Sequence, residues 1–66
     1  MRIEAGDVLV DNGAVWVVLS VDEAEEWKSY LCLCVTSEIR SGWAVGTRTW
    51  FSEDALLLDV AFVVSS

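Results

Sequence analysis

Five short runs rich in Val, Leu, Trp and Phe, each closed by a polar or glycine-containing segment, commit this chain to β-structure. Gly6-Asp7 reads as a turn into a first strand, Val8-Leu9-Val10. Asp11-Asn12-Gly13 follows, and Asn-Gly between apolar runs is the strongest short hairpin signal, because both residues tolerate positive φ. Ala14 to Val21 is a long second strand. Regular alternation places Val15, Val17, Leu19 and Val21 on one face, expected to be the core face, and Trp16, Val18 and Ser20 on the other. Asp22-Glu23-Ala24-Glu25-Glu26 interrupts the run with four carboxylates in five residues, the composition of a solvated loop. The third strand starts at Ser29 or Tyr30 and ends at Thr36. Leu31, Leu33 and Val35 face the expected core, and Tyr30, Cys32, Cys34 and Thr36 face away from it.

Ser37 to Gly42 is a polar turn, and Trp43 to Phe51 a fourth strand with Gly46 at a bulge or bend. Ser52-Glu53-Asp54-Ala55-Leu56 has the form of one capped helical turn: Ser52 can accept from an orphan N–H, and two acids sit at the positive end. Leu57 to Val64 closes the chain as a fifth strand. Asp59 is expected toward water, and Leu58, Val60, Phe62 and Val64 inward. No amphipathic helix of useful length, repeat or linker interrupts this plan.

Sixty-six residues make one domain, spanning 1–66. A domain this small buries only roughly 60% of its unfolded surface and is marginally stable alone. Disulfides, metals and oligomerisation are the usual remedies. Cys32 and Cys34 sit two apart in a strand, with Cα atoms about 6.5–7 Å apart, at or beyond the reach of a disulfide. The chain has no His, so two thiols make no structural zinc site. Oligomerisation or binding to a partner protein is the remaining staple.

The formal charge is −7, from eleven acids against four bases. Arg2, Lys28, Arg40 and Arg48 are scattered, whereas phosphate-backbone binding needs clustered cations. Direct binding to DNA, RNA or an anionic membrane surface is therefore not expected. No apolar run approaches the ~20 residues of a transmembrane helix. The start, Met1-Arg2-Ile3-Glu4-Ala5-Gly6-Asp7, lacks the apolar core of a signal peptide. The expectation is a reducing cytoplasm with both cysteines as free thiols.

Five hairpin-linked strands with one helical turn before the last describe an all-β, five-stranded SH3-like barrel, in which closure hides the strand edges. A split five-stranded sheet, dimerised through one face, is the alternative. Gly6-Asp7-Val8-Leu9-Val10, Val15-Trp16-Val17-Val18-Leu19 before an acidic loop, Gly42-Trp43, and Trp50-Phe51-Ser52-Glu53-Asp54-Ala55-Leu56 together resemble the small SH3-like proteins of tailed phages. That resemblance implies the barrel fold and a phage setting: a host-cell cytoplasm or the virion. The Ala-Leu-Tyr-Asp-Tyr motif, Trp-Trp pair and groove proline of signalling SH3 domains do not occur, and the charge is opposite to that of ribosomal barrels of this shape.

Little catalytic equipment accompanies the apolar runs. Without His there is no Ser–His system, and a barrel this small fills its own interior. No catalytic residue, metal ligand or cofactor is expected. The acidic run Asp22 to Glu26 lacks the spaced oxygen ligands and glycine of a calcium loop. Cys32 and Cys34 lack the spacer and the basic neighbour of a reactive pair, and read as small apolar strand residues. The four tryptophans exceed what such a core needs. Trp43 is expected inside, whereas Trp16 (sharing its face with Ser20) and Trp50 (sharing its face with Arg48) are expected outside. The expected interaction surface is therefore Trp16, Val18, Tyr30, Cys32 and Cys34, extended by Trp50. Exposed aromatics anchor protein interfaces, so the expected function is a non-catalytic protein–protein interaction module. It would be a homo-oligomer or part of a larger assembly, such as a capsid-decorating or connector protein of a phage. The alternative is an acidic inhibitor of a nucleic-acid enzyme acting as a DNA mimic, and a regulatory partner of toxin–antitoxin type is a third.

Overall fold

The computed structural model describes residues 3–11, 13–23 and 28–64, with side chains up to residue 56. Strands β1 (Val8–Asp11), β2 (Ala14–Glu23), β3 (Lys28–Ser37), β4 (Arg48–Ser52) and β5 (Val60–Val64) are joined by a 3-10 turn at Ile39–Ser41 and a helix, α1 (Glu53–Asp59). All pairings are antiparallel, and the strands lie in the order β4-β3-β2-β1-β5. The architecture is thus mostly β, with short helical elements. Among the described residues no pairing joins β4 to β5, so the ladder is an open sheet rather than the closed barrel expected.

The turns follow their local chemistry. Asp7 caps the first one: its Oδ2 accepts from the Glu4 N–H at 2.9 Å and its own N–H donates to the Glu4 carbonyl at 3.1 Å. Gly13 has φ +84°, the left-handed geometry that the hairpin between β1 and β2 requires; Asn12 itself lies outside the described residues. Ser52 Oγ accepts from the Ala55 N–H at 3.2 Å, the expected N-cap. The helix it starts is longer than one turn. Ala55 and the leucines after it are strong helix formers, so α1 runs to Asp59 and β5 begins at Val60, not Leu57. The expected directions of Leu58, Asp59, Val60, Phe62 and Val64 fall outside the described side chains.

Two other boundaries move. β2 continues through Asp22 and Glu23, because Glu23 opposes Lys28 in register and their side chains pair at 3.5 Å. The rest of the acidic run and Trp27 lie outside the described residues. The fourth strand is only Arg48–Ser52. Trp43–Thr47 is a turn instead, with Gly46 at φ +92°. That turn still closes on β3: the Gly46 N–H donates to the Cys34 carbonyl at 2.8 Å, and the Cys34 N–H to the Thr47 carbonyl at 2.9 Å.

The largest correction concerns which face is inside. The core consists of Ile3, Leu9, Ala14, Trp16, Val18, Tyr30, Cys32, Cys34 and Leu56, with Val21 and Phe51 packed against it. Trp16, Val18, Tyr30, Cys32 and Cys34, expected on an outer interaction face, are therefore the inner face of the sheet, each 2% exposed or less. Their grouping stands, since Trp16 opposes Cys34, Val18 opposes Cys32 and Val21 opposes Tyr30. The physical reason for the inversion is fit. Across β2 and β3 the inner face matches large against small, indole against thiol and valine against thiol, and such pairs interdigitate under the covering side chains Ile3 and Leu56.

Two bulges complete the account. Val35 is skipped between the Trp16–Cys34 and Val15–Thr36 pairs, and Leu19 between the Val18–Cys32 and Ser20–Leu31 pairs. An extra residue in one strand shifts its facing by one. Beyond Leu19, Ser20 therefore joins the outer face and Val21 returns to the inner one.

Candidate interaction surface

Each inner-face side chain is held by internal partners. Trp16 stands edge-to-face to Trp43 and to Phe51, with ring centroids 5.0 Å away in both cases and planes at 84° and 88°. Trp43 and Phe51 are also nearly perpendicular, at 6.1 Å. Perpendicular rings at these spacings are in contact, so the trio is a packed corner of the core. Trp43, expected inside, caps this corner from the rim and is 38% exposed.

Tyr30 ties the sheet to α1 by donating its hydroxyl to Glu53 Oε2 at 3.3 Å. Burial, followed by the negative charge of Glu53 and Glu23, holds its phenol above the ordinary value. Both cysteines are free thiols. Cys32 Sγ lies 3.7 Å from the Tyr30 carbonyl and Cys34 Sγ 3.6 Å from the Thr36 carbonyl. Burial pushes the Cys32 thiol up to about 11, the opposite of what a nucleophilic or redox cysteine needs.

The opposite face of the sheet is also apolar. Its rows run Val8–Val17–Leu33–Arg48, then Val10–Val15–Thr36, and on the other side Ser20–Leu31–Trp50. The bulged residues Leu19 and Val35 stand on it as well, each 41% exposed, and Trp50 is 53% exposed. On this face Val8, Val10, Val15, Val17, Leu31 and Leu33 are half-buried beside their cross-strand neighbours. Arg48 is the single charge within these rows, and Asp22 lies beyond them at the far end of β2. Of the six expected interface residues, the outer face holds Trp50 alone. The residues that form it, Val15, Val17, Leu19, Leu31, Leu33 and Val35, are those that alternation assigned to the core.

Some of the described charged residues are engaged locally. Arg40 pairs with Glu38 at the 3-10 turn. A shallow open groove of about 330 Å³ lies beside the β2 bulge, lined by Glu4, Ala5, Ser20, Glu23 and Lys28 among others. Glu23 and Lys28 pair with each other there. Among the described residues no three His, Cys, Asp or Glu side chains converge as a metal site would require, and no helix is long and apolar enough to cross a membrane. In comparisons with family models, curated proteins and solved structures, no match to this chain was found.

Proposed function

We propose that this chain is a non-catalytic protein–protein interaction module that docks through the outer face of its sheet. One observation carries the reading: the strands are apolar on both faces, and among the described residues the outer face keeps Leu19, Val35 and Trp50 exposed. Sheets buried on both sides are written in near-continuous Val/Leu-rich runs, whereas a sheet with one wet face alternates apolar and polar residues. Ala14–Leu19 and Tyr30–Val35 are runs of the first kind. Ile3 and Leu56 cover the inner side. Another protein surface covers the outer one, with Trp50, the large exposed aromatic on this face, as an anchor.

The strand order with a helical segment before β5 supports the reading of a small SH3-like fold, and the resemblance to phage barrels favours a role within a larger assembly such as a virion. A DNA mimic would instead need a stripe of free carboxylates. Several of these acids have other work: Asp7 caps a turn, Glu23 and Glu38 pair with Lys28 and Arg40, and Glu53 accepts from Tyr30.

A photo-crosslinking residue placed at Leu19 or Trp50, with Val45 in the β3–β4 connection as control, tests the module in cells. Adducts from the two outer-face positions and none from Val45 are expected. Equal labelling at all three positions, or none at any, overturns the reading.

A further inference from the structure

Resting on that reading, we propose that the surface covering the outer face is the same face of a second copy: two sheets packed face to face as a reversible, two-fold symmetric dimer. The first argument is charge. The chain carries −7, so two copies repel each other wherever carboxylates meet. The rows around Val17 and Leu33 contain no carboxylate and a single cation, Arg48. Glu53 turns to the inner face, where it accepts from Tyr30, and Asp22 lies beyond these rows at the end of β2. Face-to-face docking therefore brings together rows that hold no carboxylate.

The second argument is self-complementarity. A two-fold interface sets one patch against itself. A surface of valine and leucine, with the bulged Leu19 and Val35 projecting from it, meets its own copy with its one charge, Arg48, on the edge strand β4 rather than at the centre. A partner of strong charge gains no steering from such a face. Packed sheets sit about 10 Å apart with interdigitating side chains, which this composition allows.

The third argument is area, which also sets the strength. Five strands at ~4.8 Å spacing and about five residues at ~3.3 Å rise give a plan area of roughly 400 Å². Even allowing for corrugation, this falls near or below the ~800 Å² per partner of a standard interface. The dimer should therefore be reversible, with a Kd on the order of 10 μM.

Sedimentation of the full chain from about 1 to 200 μM spans that constant. The weight-average mass should rise from one chain, 7.3 kDa, toward twice that. Association should tighten as salt screens the repulsion between like-charged copies. Val35→Glu and, as a second variant at the other bulge, Leu19→Glu should stay monomeric while keeping the wild-type melting profile. Both residues are exposed and outside the paired register. The apolar dye ANS, added to wild type and variants, separates the two readings. A wild type that stays monomeric but binds ANS, with binding lost in the variants, overturns the dimer and leaves the docking face to another protein. A monomeric wild type without ANS binding overturns both. Variants that associate like wild type place the contact elsewhere and overturn the dimer.

Discussion

The two faces of this sheet are made of nearly the same kinds of residue and are packed differently. Inside, Trp16, Val18, Tyr30, Cys32 and Cys34 have one way to pack, fixed by volume matching, two perpendicular ring contacts and the Tyr30–Glu53 hydrogen bond. Outside, Val15, Val17, Leu31 and Leu33 are half-buried against their cross-strand neighbours, and Leu19, Val35 and Trp50 stand clear. Hydrophobicity therefore separates neither core from surface here nor fold from function. What separates the faces, among the described residues, is cover: Ile3 and Leu56 belong to the buried cluster on the inner side, and Leu19, Val35 and Trp50 stay exposed on the outer one.

The sharpest way to break this comparison is Trp16→Ala. Removing a buried indole costs about 3–5 kcal/mol, against a total stability of roughly 3–10 kcal/mol for a domain this size. Urea titration should find the variant largely unfolded. A cooperative transition near that of wild type would mean that Trp16 is not core.

Next in size is a pH effect specific to the inner face. The Cys32 thiol is raised from 9.0 to about 11, so between these values the native state holds a proton that the unfolded state has released. Stability is then full below pH 9 and falls as pH rises toward 11, by on the order of 2–3 kcal/mol. The raised Tyr30 phenol acts in the same direction. Urea midpoints across this range should show the fall, and Cys32→Ala should flatten much of it. An equal slope in Cys32→Ala would remove the thiol from the explanation.

A pair of neighbouring substitutions sharpens the contrast further. Val18→Thr buries a hydroxyl in the core and should cost about 1–3 kcal/mol. Val17→Thr, one residue along on the outer face, should stay within roughly 0.5 kcal/mol when measured on the monomer. Equal costs in chemical denaturation would mean that both faces are equally enclosed. The smallest effect expected is that of Ser52→Ala. It removes the cap of the helix that presses Leu56 onto the inner face and should cost about 1 kcal/mol. A melting curve unchanged from wild type would show that α1 is positioned by packing alone.

Most of the strands, the hairpin at Gly13, the bend at Gly46 and the Ser52 cap were legible because each rests on local chemistry: period-two alternation, glycine's access to positive φ, and an oxygen near an orphan N–H. Of the six residues expected on the candidate surface, only Trp50 is exposed. Trp16, Val18, Tyr30, Cys32 and Cys34 were correctly grouped, because period two groups residues without any knowledge of the third dimension. The group was then assigned to the outside because Ser20 marked its side as polar. The bulge at Leu19 moves Ser20 to the other face, so the marker belonged to the opposite side. Trp50 was placed outside by the same reasoning from Arg48, and correctly, because the register from Arg48 to Ser52 is unbroken. A serine directly after a bulge and an arginine within a regular strand look equivalent in a sequence.

Sequence alone determined the mostly-β class of structure, the glycine turns at Gly13 and Gly46 and the surplus of apolar residues. These follow from residue type and near-neighbour spacing, which the chain carries in one dimension. Only the tertiary structure decided which apolar face is the core, that the ladder is left open between β4 and β5, and that Trp43 sits at the rim. Those outcomes depend on long-range volume matching and on one-residue register shifts. Nothing local in the chain records where a strand will take up an extra residue, and one such shift is enough to turn a face inside out.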